Sequence, residues 1–150
     1  MDPNPLILSD TNPPSLPVAA PKDTVHGTRP QMVLAHADAA YAASVCRHFR
    51  RLGWEVQVAP SGDEVRRLTC QSAPVAVVLD AALANESGWL TAKKLTDNRP
   101  DLRVILVARD VDQQGRHFAA FVGAAALVAQ AGGPAALVDE VYGTALAAAG

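Results

Sequence analysis

The chain has few cysteines. Its two, Cys46 and Cys70, lie far apart with no metal-type spacing, which argues against a cysteine-ligated metal. Both fall in helix-like patterns and are expected to be buried free thiols in a reducing compartment. Excess positive charge is also missing. A net charge of −2 favours neither nucleic acid nor an anionic membrane as partner. No basic n-region opens the chain, and Leu6–Leu8 is too short for a signal core. The most apolar stretch, Phe118 to Val138, is rich in Ala and broken by Gly132, Gly133 and Pro134, which argues against a membrane span. No GK[ST] follows the glycine pair, so there is no P-loop, and no Ser-His-Asp or Cys-His arrangement is legible. What remains is a soluble, cytoplasmic chain of 150 residues, one domain with room for a sizeable core.

Prolines are concentrated at one end. Seven of eleven fall within residues 1–30, a stretch with no helical or strand period, read as a disordered or extended tail. Pro14 to Pro17 gives a PxxP match, so the functional alternative is a partner-binding segment in polyproline form.

From residue 31 onwards the chain alternates short apolar runs with amphipathic ones. Met32–Ala35 reads as a strand. Tyr41, Ala42, Val45, Cys46, Phe49 and Leu52 then recur at helical steps, and Gly53 stands where a helix-ending glycine belongs. Trp54–Ala59 alternates as a half-buried strand. Ser61 and Glu64 have capping-box spacing before a helix through Val65 and Leu68. Val75 to Leu79 is a run of β-formers that ends on Asp80, and reads as a buried strand of a parallel sheet. Ser87 is the N-cap of a helix from about Trp89 to Asp97, with Lys93 and Lys94 facing solvent. Arg103–Ala108 is a fourth strand, Val111–Val122 a helix, and Ala125–Ala129 a fifth strand. Pro134 then sits in the first turn of a last helix.

Five strands alternating with five helices predict an α/β fold: a flavodoxin-like parallel sheet of order 2-1-3-4-5 with helices on both faces. Its ligand crevice lies at the carboxyl ends of the first and third strands, which are His36 to Asp38 and Asp80.

This spacing resembles the receiver (CheY-like) domain of two-component response regulators, over roughly Gln31 to Leu146. In that family the third strand ends in a phosphoacceptor Asp, followed by a hydrophobic residue three positions on and a Gly eight positions on. Here these are Asp80, Leu83 and Gly88. Gly53 matches the glycine before the second strand, and Gly123-Ala124 the pair before the fifth. The resemblance divides the chain into a tail, 1–30, and a receiver-like domain, 31–150.

The residues that carry the family's chemistry depart from its pattern. An acidic pair after the first strand holds Mg²⁺ in the family. Here those positions are His36 and Ala37, with Asp38 one place late. A Thr or Ser ends the family's fourth strand, but here Ala108 does, followed by Arg109. The lysine of the fifth strand is replaced by Gln130, and the prolines of two loops by Ala84 and Ala131. The resemblance therefore implies a phosphoacceptor, Asp80, in a pocket of His36, Ala37, Asp38, Ala108, Arg109 and Gln130. Mg²⁺ would have only Asp38 and Asp80 as ligands, so no cofactor is expected.

The leading expectation is a degenerate receiver, a pseudo-receiver. It would be no enzyme, and would signal through protein contacts with phosphorylation weakened or lost. Within the family the alternative is a working phosphoacceptor served by a histidine kinase. Outside it, the alternative is a small-ligand or nucleotide binder or enzyme using the Ala131–Pro134 loop. No output domain is legible after the fifth helix, so the chain is expected to act on another molecule or to belong to a longer protein. From His117 to Gly150 there is no Lys or Arg, and thirteen of thirty-four residues are Ala. A protein partner or second copy is expected on this face, formed by the fourth helix, fifth strand and fifth helix, through Phe118, Phe121, Val141 and Leu146.

Overall fold

A computed structural model describes residues 29–149, and the side chains of residues 29–142. All but the last two residues of the proline-rich segment, and the side chain of Leu146, lie outside the described residues.

Five strands form one parallel sheet: β1 (Gln31–Ala35), β2 (Glu55–Val58), β3 (Ala76–Asp80), β4 (Arg103–Ala108) and β5 (Ala126–Ala129). Their spatial order is β2-β1-β3-β4-β5, as expected. Register is continuous across the centre, with Val33 beside Val77 and Val77 beside Val104. The helices are α1 (Ala39–Arg51), α2 (Gly62–Ser72), α3 (Gly88–Asn98), α4 (Gln113–Phe121) and α5 (Gly133–Ala149).

Strand residues alternate between two cores, because successive side chains leave a strand on opposite faces. Met32, Leu34, Val78, Ile105 and Val107 meet α1 and α5 through Tyr41, Val45, Phe49, Leu137 and Val141. Val33, Val77, Leu79, Val104 and Leu106 meet α2, α3 and α4 through Val65, Leu95, Ala119 and Val122. Every residue of β3 is buried, which is why its sequence is apolar up to Asp80.

Local signals set the boundaries. Asp38, Ser61, Ser87 and Asp112 each N-cap a helix, their side chains accepting backbone N–H bonds. The Ser61 capping box forms on one side only: Ser61 Oγ accepts from Glu64 N–H, while the Glu64 carboxylate takes Arg67 instead. Gly53 has φ +94°, a left-handed turn that costs glycine nothing.

Several expectations are corrected. Cys70 is exposed, and only Cys46 is buried. Val75 lies outside β3 and is exposed. The fourth helix starts two residues later than expected, because Asp112 caps it. Val141, placed on a partner surface from the sequence, is buried in the α1–α5 core at 6% exposure. Its place on the inner stripe of an alanine-rich helix is not visible in composition. Phe118 and Phe121 do reach the surface, but Phe118 packs on Trp89 of α3. Their aromatic contacts thus lie on the α3 side of α4.

Candidate functional site

The carboxyl edge of the sheet brings the expected residues together. His36, Ala37, Asp38, Asp80, Ala81, Ala82, Trp89, Ala108, Arg109 and Gln130 line one cleft of about 480 Å³. It sits at the ends of β1 and β3, where the strand order reverses.

Asp80 lies at its floor, 7% exposed. Both its oxygens are engaged: Oδ2 accepts from Ala37 N–H at 3.0 Å and Oδ1 from Ala82 N–H at 2.9 Å. The carboxylate therefore ties the β1–α1 loop to the β3–α3 loop. Two backbone donors are what a buried carboxylate needs to stay satisfied. Gly88 explains its own position here. A Cβ there would come within 2.1 Å of the Asp80 carbonyl oxygen, so the start of α3 can pack on the end of β3 only as glycine.

His36 occupies the family's first acidic position. Its side chain is 2% exposed, and Nδ1 lies 3.5 Å from Asp80 Oδ2. Nδ1 also accepts from Asp38 N–H at 3.0 Å, which assigns the proton of the neutral ring to Nε2. Burial lowers the His36 pKa, outweighing the upward pull of Asp80 and then Asp38. The imidazole is thus neutral at pH 7. Nε2 and the Tyr41 hydroxyl are buried with no hydrogen-bond partner among the described residues. The two rings lie 4.5 Å apart. Burial, aided by Asp80, pushes the Tyr41 phenol up to about 12.

Asp38 is committed elsewhere. Its Oδ1 caps α1, accepting from Ala40 and Tyr41 N–H at 3.0 and 3.2 Å, and Oδ2 accepts from Gln130 Nε2 at 2.9 Å. The Tyr41 N–H bond is the largest cause of its lowered pKa, with Ala40, Gln130 and His36 adding to it against desolvation. Gln130 was expected in the pocket. Its bond to Asp38 was not, because a contact between residues 92 apart leaves no local signal.

Mg²⁺ demands near-octahedral oxygen ligation, and these residues do not fit it. Asp80 and Asp38 already hold backbone and amide donors, and the third position is an imidazole facing Asp80. Among the described residues no group of three His, Cys, Asp or Glu side chains is placed to hold a metal ion.

Sequence reading missed one wall of the cleft and the anchor of the loop after Asp80. Trp89 walls it. Glu86, in the loop after Asp80, accepts from Arg66 Nε and a terminal Arg66 nitrogen, from Thr91 Oγ1 and from Lys94 Nζ, at 2.7 to 3.0 Å. Arg66 leads in driving the Glu86 pKa down to about 2. This knot pins the loop to α2 and α3. Lys94 keeps its side chain 42% exposed, as expected, while its ammonium pairs with Glu86.

The loop after β5 is a single 3-10 turn, Gln130–Gly132, running straight into α5. Among the described residues no helix is long and apolar enough to cross a membrane.

The fold is that of receiver domains. A response regulator receiver domain protein of Methanospirillum hungatei is similar at TM-score 0.71 and 19% identity, over 77% of this chain and 93% of that one. A chemotaxis protein of Vibrio cholerae is similar at TM-score 0.70 and 13% identity, over 76% and 97%. A response regulator of Burkholderia pseudomallei, solved with a phosphorylated aspartic acid and a calcium ion, is similar at TM-score 0.68 and 20% identity, over 75% and 66%. No family model and no curated protein matches the chain.

Proposed function

We propose that this chain is a receiver-type signalling module that works through protein contacts, with phosphorylation of Asp80 weak or lost, and that it is not an enzyme. The observation that carries this reading is the state of Asp80. Both its oxygens hold backbone amides, and its neighbours are a neutral buried His36, a committed Asp38 and an uncharged Gln130. Phosphoryl transfer needs charge neutralisation preorganised around the equatorial oxygens. Among the described residues no lysine and no hydroxyl lines the cleft, and Arg109 is its only guanidinium. Removing one such donor costs on the order of 10² to 10³ in rate, and two are replaced here.

Incubation with Mg²⁺ and acetyl phosphate or phosphoramidate, followed by intact mass spectrometry, tests this. The expected result is little or no added phosphoryl mass. Stoichiometric addition that is abolished in Asp80→Asn, a variant first checked for folding, would instead establish an ordinary phosphoacceptor served by a histidine kinase. A thermal-shift panel of nucleotides and flavins tests the small-ligand alternative at the Ala131–Pro134 loop. A cytoplasmic setting accords with this role.

The partner face in this reading is α4, β5 and α5, where no Lys or Arg occurs after Arg116. Ala135, exposed on α5, replaces Val141 as the position to test. Ala135→Glu should reduce partner capture or solution mass. If neither changes, this face is not the interface.

A further inference from the structure

Asp80 is a buried charge without a counter-charge. It is 7% exposed, and the one basic group within 4 Å of it among the described residues, His36 at 3.5 Å, is neutral. Two backbone amides satisfy its hydrogen bonding. Amides carry no net charge, however, and a buried carboxylate is ordinarily paired with a cation. Asp38 differs. It is exposed, and the positive end of α1, which it caps, and the Gln130 amide offset its charge. His36 adds a second unmet demand. Its side chain is 2% exposed and lines the same cleft, and Nε2–H has no acceptor among the described residues. A buried donor left bare costs free energy until an acceptor arrives. Arg109, exposed just after β4, also lines the cleft and has no ion-pair or hydrogen-bond partner among the described residues.

These three groups decide what the cleft can hold. A bare anion would be repelled by Asp80 and Asp38. A divalent metal lacks a third ligand side chain among the described residues. An uncharged ligand would seal Asp80 from water with no cation beside it. A lone amine would leave Arg109 and His36 without an acceptor. One small molecule that carries both charges answers all three.

We propose that the Asp80 cleft binds a small amino acid zwitterion, its ammonium on Asp80 and its carboxylate on Arg109, as the input of this module in place of a phosphoryl group. This input rests on the reading that phosphorylation of Asp80 is weak or lost. The cleft, at about 480 Å³, falls within the range of small-molecule sites, about 300 to 1,000 Å³. An ammonium has three N–H groups to place. Each Asp80 oxygen has a lone pair left after its backbone bond, and Gln130, which gives its amide N–H to Asp38, keeps its carbonyl oxygen. The octahedron of oxygens that Mg²⁺ demands is not needed. Ala81, Ala82, Ala108 and the Trp89 ring line the rest of the cleft and suit an uncharged side chain.

The full chain is titrated by calorimetry with glycine, alanine, leucine, β-alanine and γ-aminobutyrate. Each is paired with its methyl ester, which keeps the ammonium, and with the carboxylic acid that lacks the amine. Tryptophan fluorescence follows occupancy through Trp89, since Trp54 is buried at 4%. At least one amino acid should bind about tenfold more tightly than either of its analogues. Arg109→Gln removes the guanidinium of an exposed side chain. It should bring acid and ester to equal affinity while the midpoint of thermal unfolding stays where it was. Amino acids that bind no better than their analogues, or a preference for acid over ester that survives in Arg109→Gln, overturn the proposal. Intact mass after treatment with acetyl phosphate keeps the two levels apart. Stoichiometric phosphorylation of Asp80 overturns the reading beneath this inference, whereas failure to bind in a protein that takes no phosphoryl group overturns the inference alone.

Discussion

The two faces of the sheet solve the same packing problem with different materials. On the α1–α5 face, Phe49 is fully buried and meets Trp54 edge-on at 5.5 Å, and Trp54 donates its indole N–H to the Tyr142 hydroxyl. On the other face the core is aliphatic, with Val65, Leu79, Leu95 and Leu106; Trp89 packs against it part-buried, and Phe118 and Phe121 are exposed. That face is held at one corner by charge instead, through the Glu86 knot between α2 and α3. One face is sealed by aromatic volume. The other leaves its rings free for contacts, and its stability at that corner depends on pH.

Phe49→Ala tests the contrast most severely. Removing a fully buried ring should cost about 3–5 kcal/mol, read as a shift in the urea midpoint with an unchanged slope. A loss below about 1 kcal/mol would mean that this face is not sealed as described.

At the edge both faces share, Asp80→Asn should cost about 1–3 kcal/mol. Asparagine has one carbonyl oxygen and one NH₂, while both partners of Asp80, the N–H groups of Ala37 and Ala82, are donors. Chemical denaturation at neutral pH measures it. An unchanged midpoint would show that Asp80 does not brace the two loops.

Glu86→Gln should cost roughly 1–2 kcal/mol at pH 7 and should also change the pH profile. The folded-state pKa of Glu86 is depressed from 4.5 to about 2. Its contribution is therefore fully present above the unfolded value and lost as pH falls from 4.5 through about 2. The variant, which cannot titrate there, should show a shallower loss of stability in that window. Parallel profiles would place the acid sensitivity elsewhere.

The smallest effect is expected at Phe121. Because the ring is 70% exposed, Phe121→Ala should change stability by no more than about 0.5 kcal/mol. Set beside Phe49→Ala, this pair of identical substitutions measures the asymmetry of the two faces directly. A large loss at Phe121 would assign that ring to the core.

Elements with a local cause were legible in the sequence. The β3 run, the caps at Ser61 and Ser87, and the turns at Gly53 and before Pro134 depend on neighbours a few residues away, where propensity and capping act. Alternation and the handedness of crossovers left few strand orders, and the commonest of them at this size is the one observed. The site was legible as a set of positions around Asp80, because strand ends on one sheet edge must converge.

What those residues do to one another was decided only by the tertiary structure. His36 is neutral because it is buried, Asp38 is spent on capping α1 and on Gln130, and Asp80 is spent on two backbone amides. The sorting of Val141 inward and of Phe118 and Phe121 outward beside Trp89 belongs to the same class. Composition set how many apolar residues α4 and α5 carry. Which of them meet solvent depends on the rotation of each helix against the sheet, and contacts between distant segments fix that rotation.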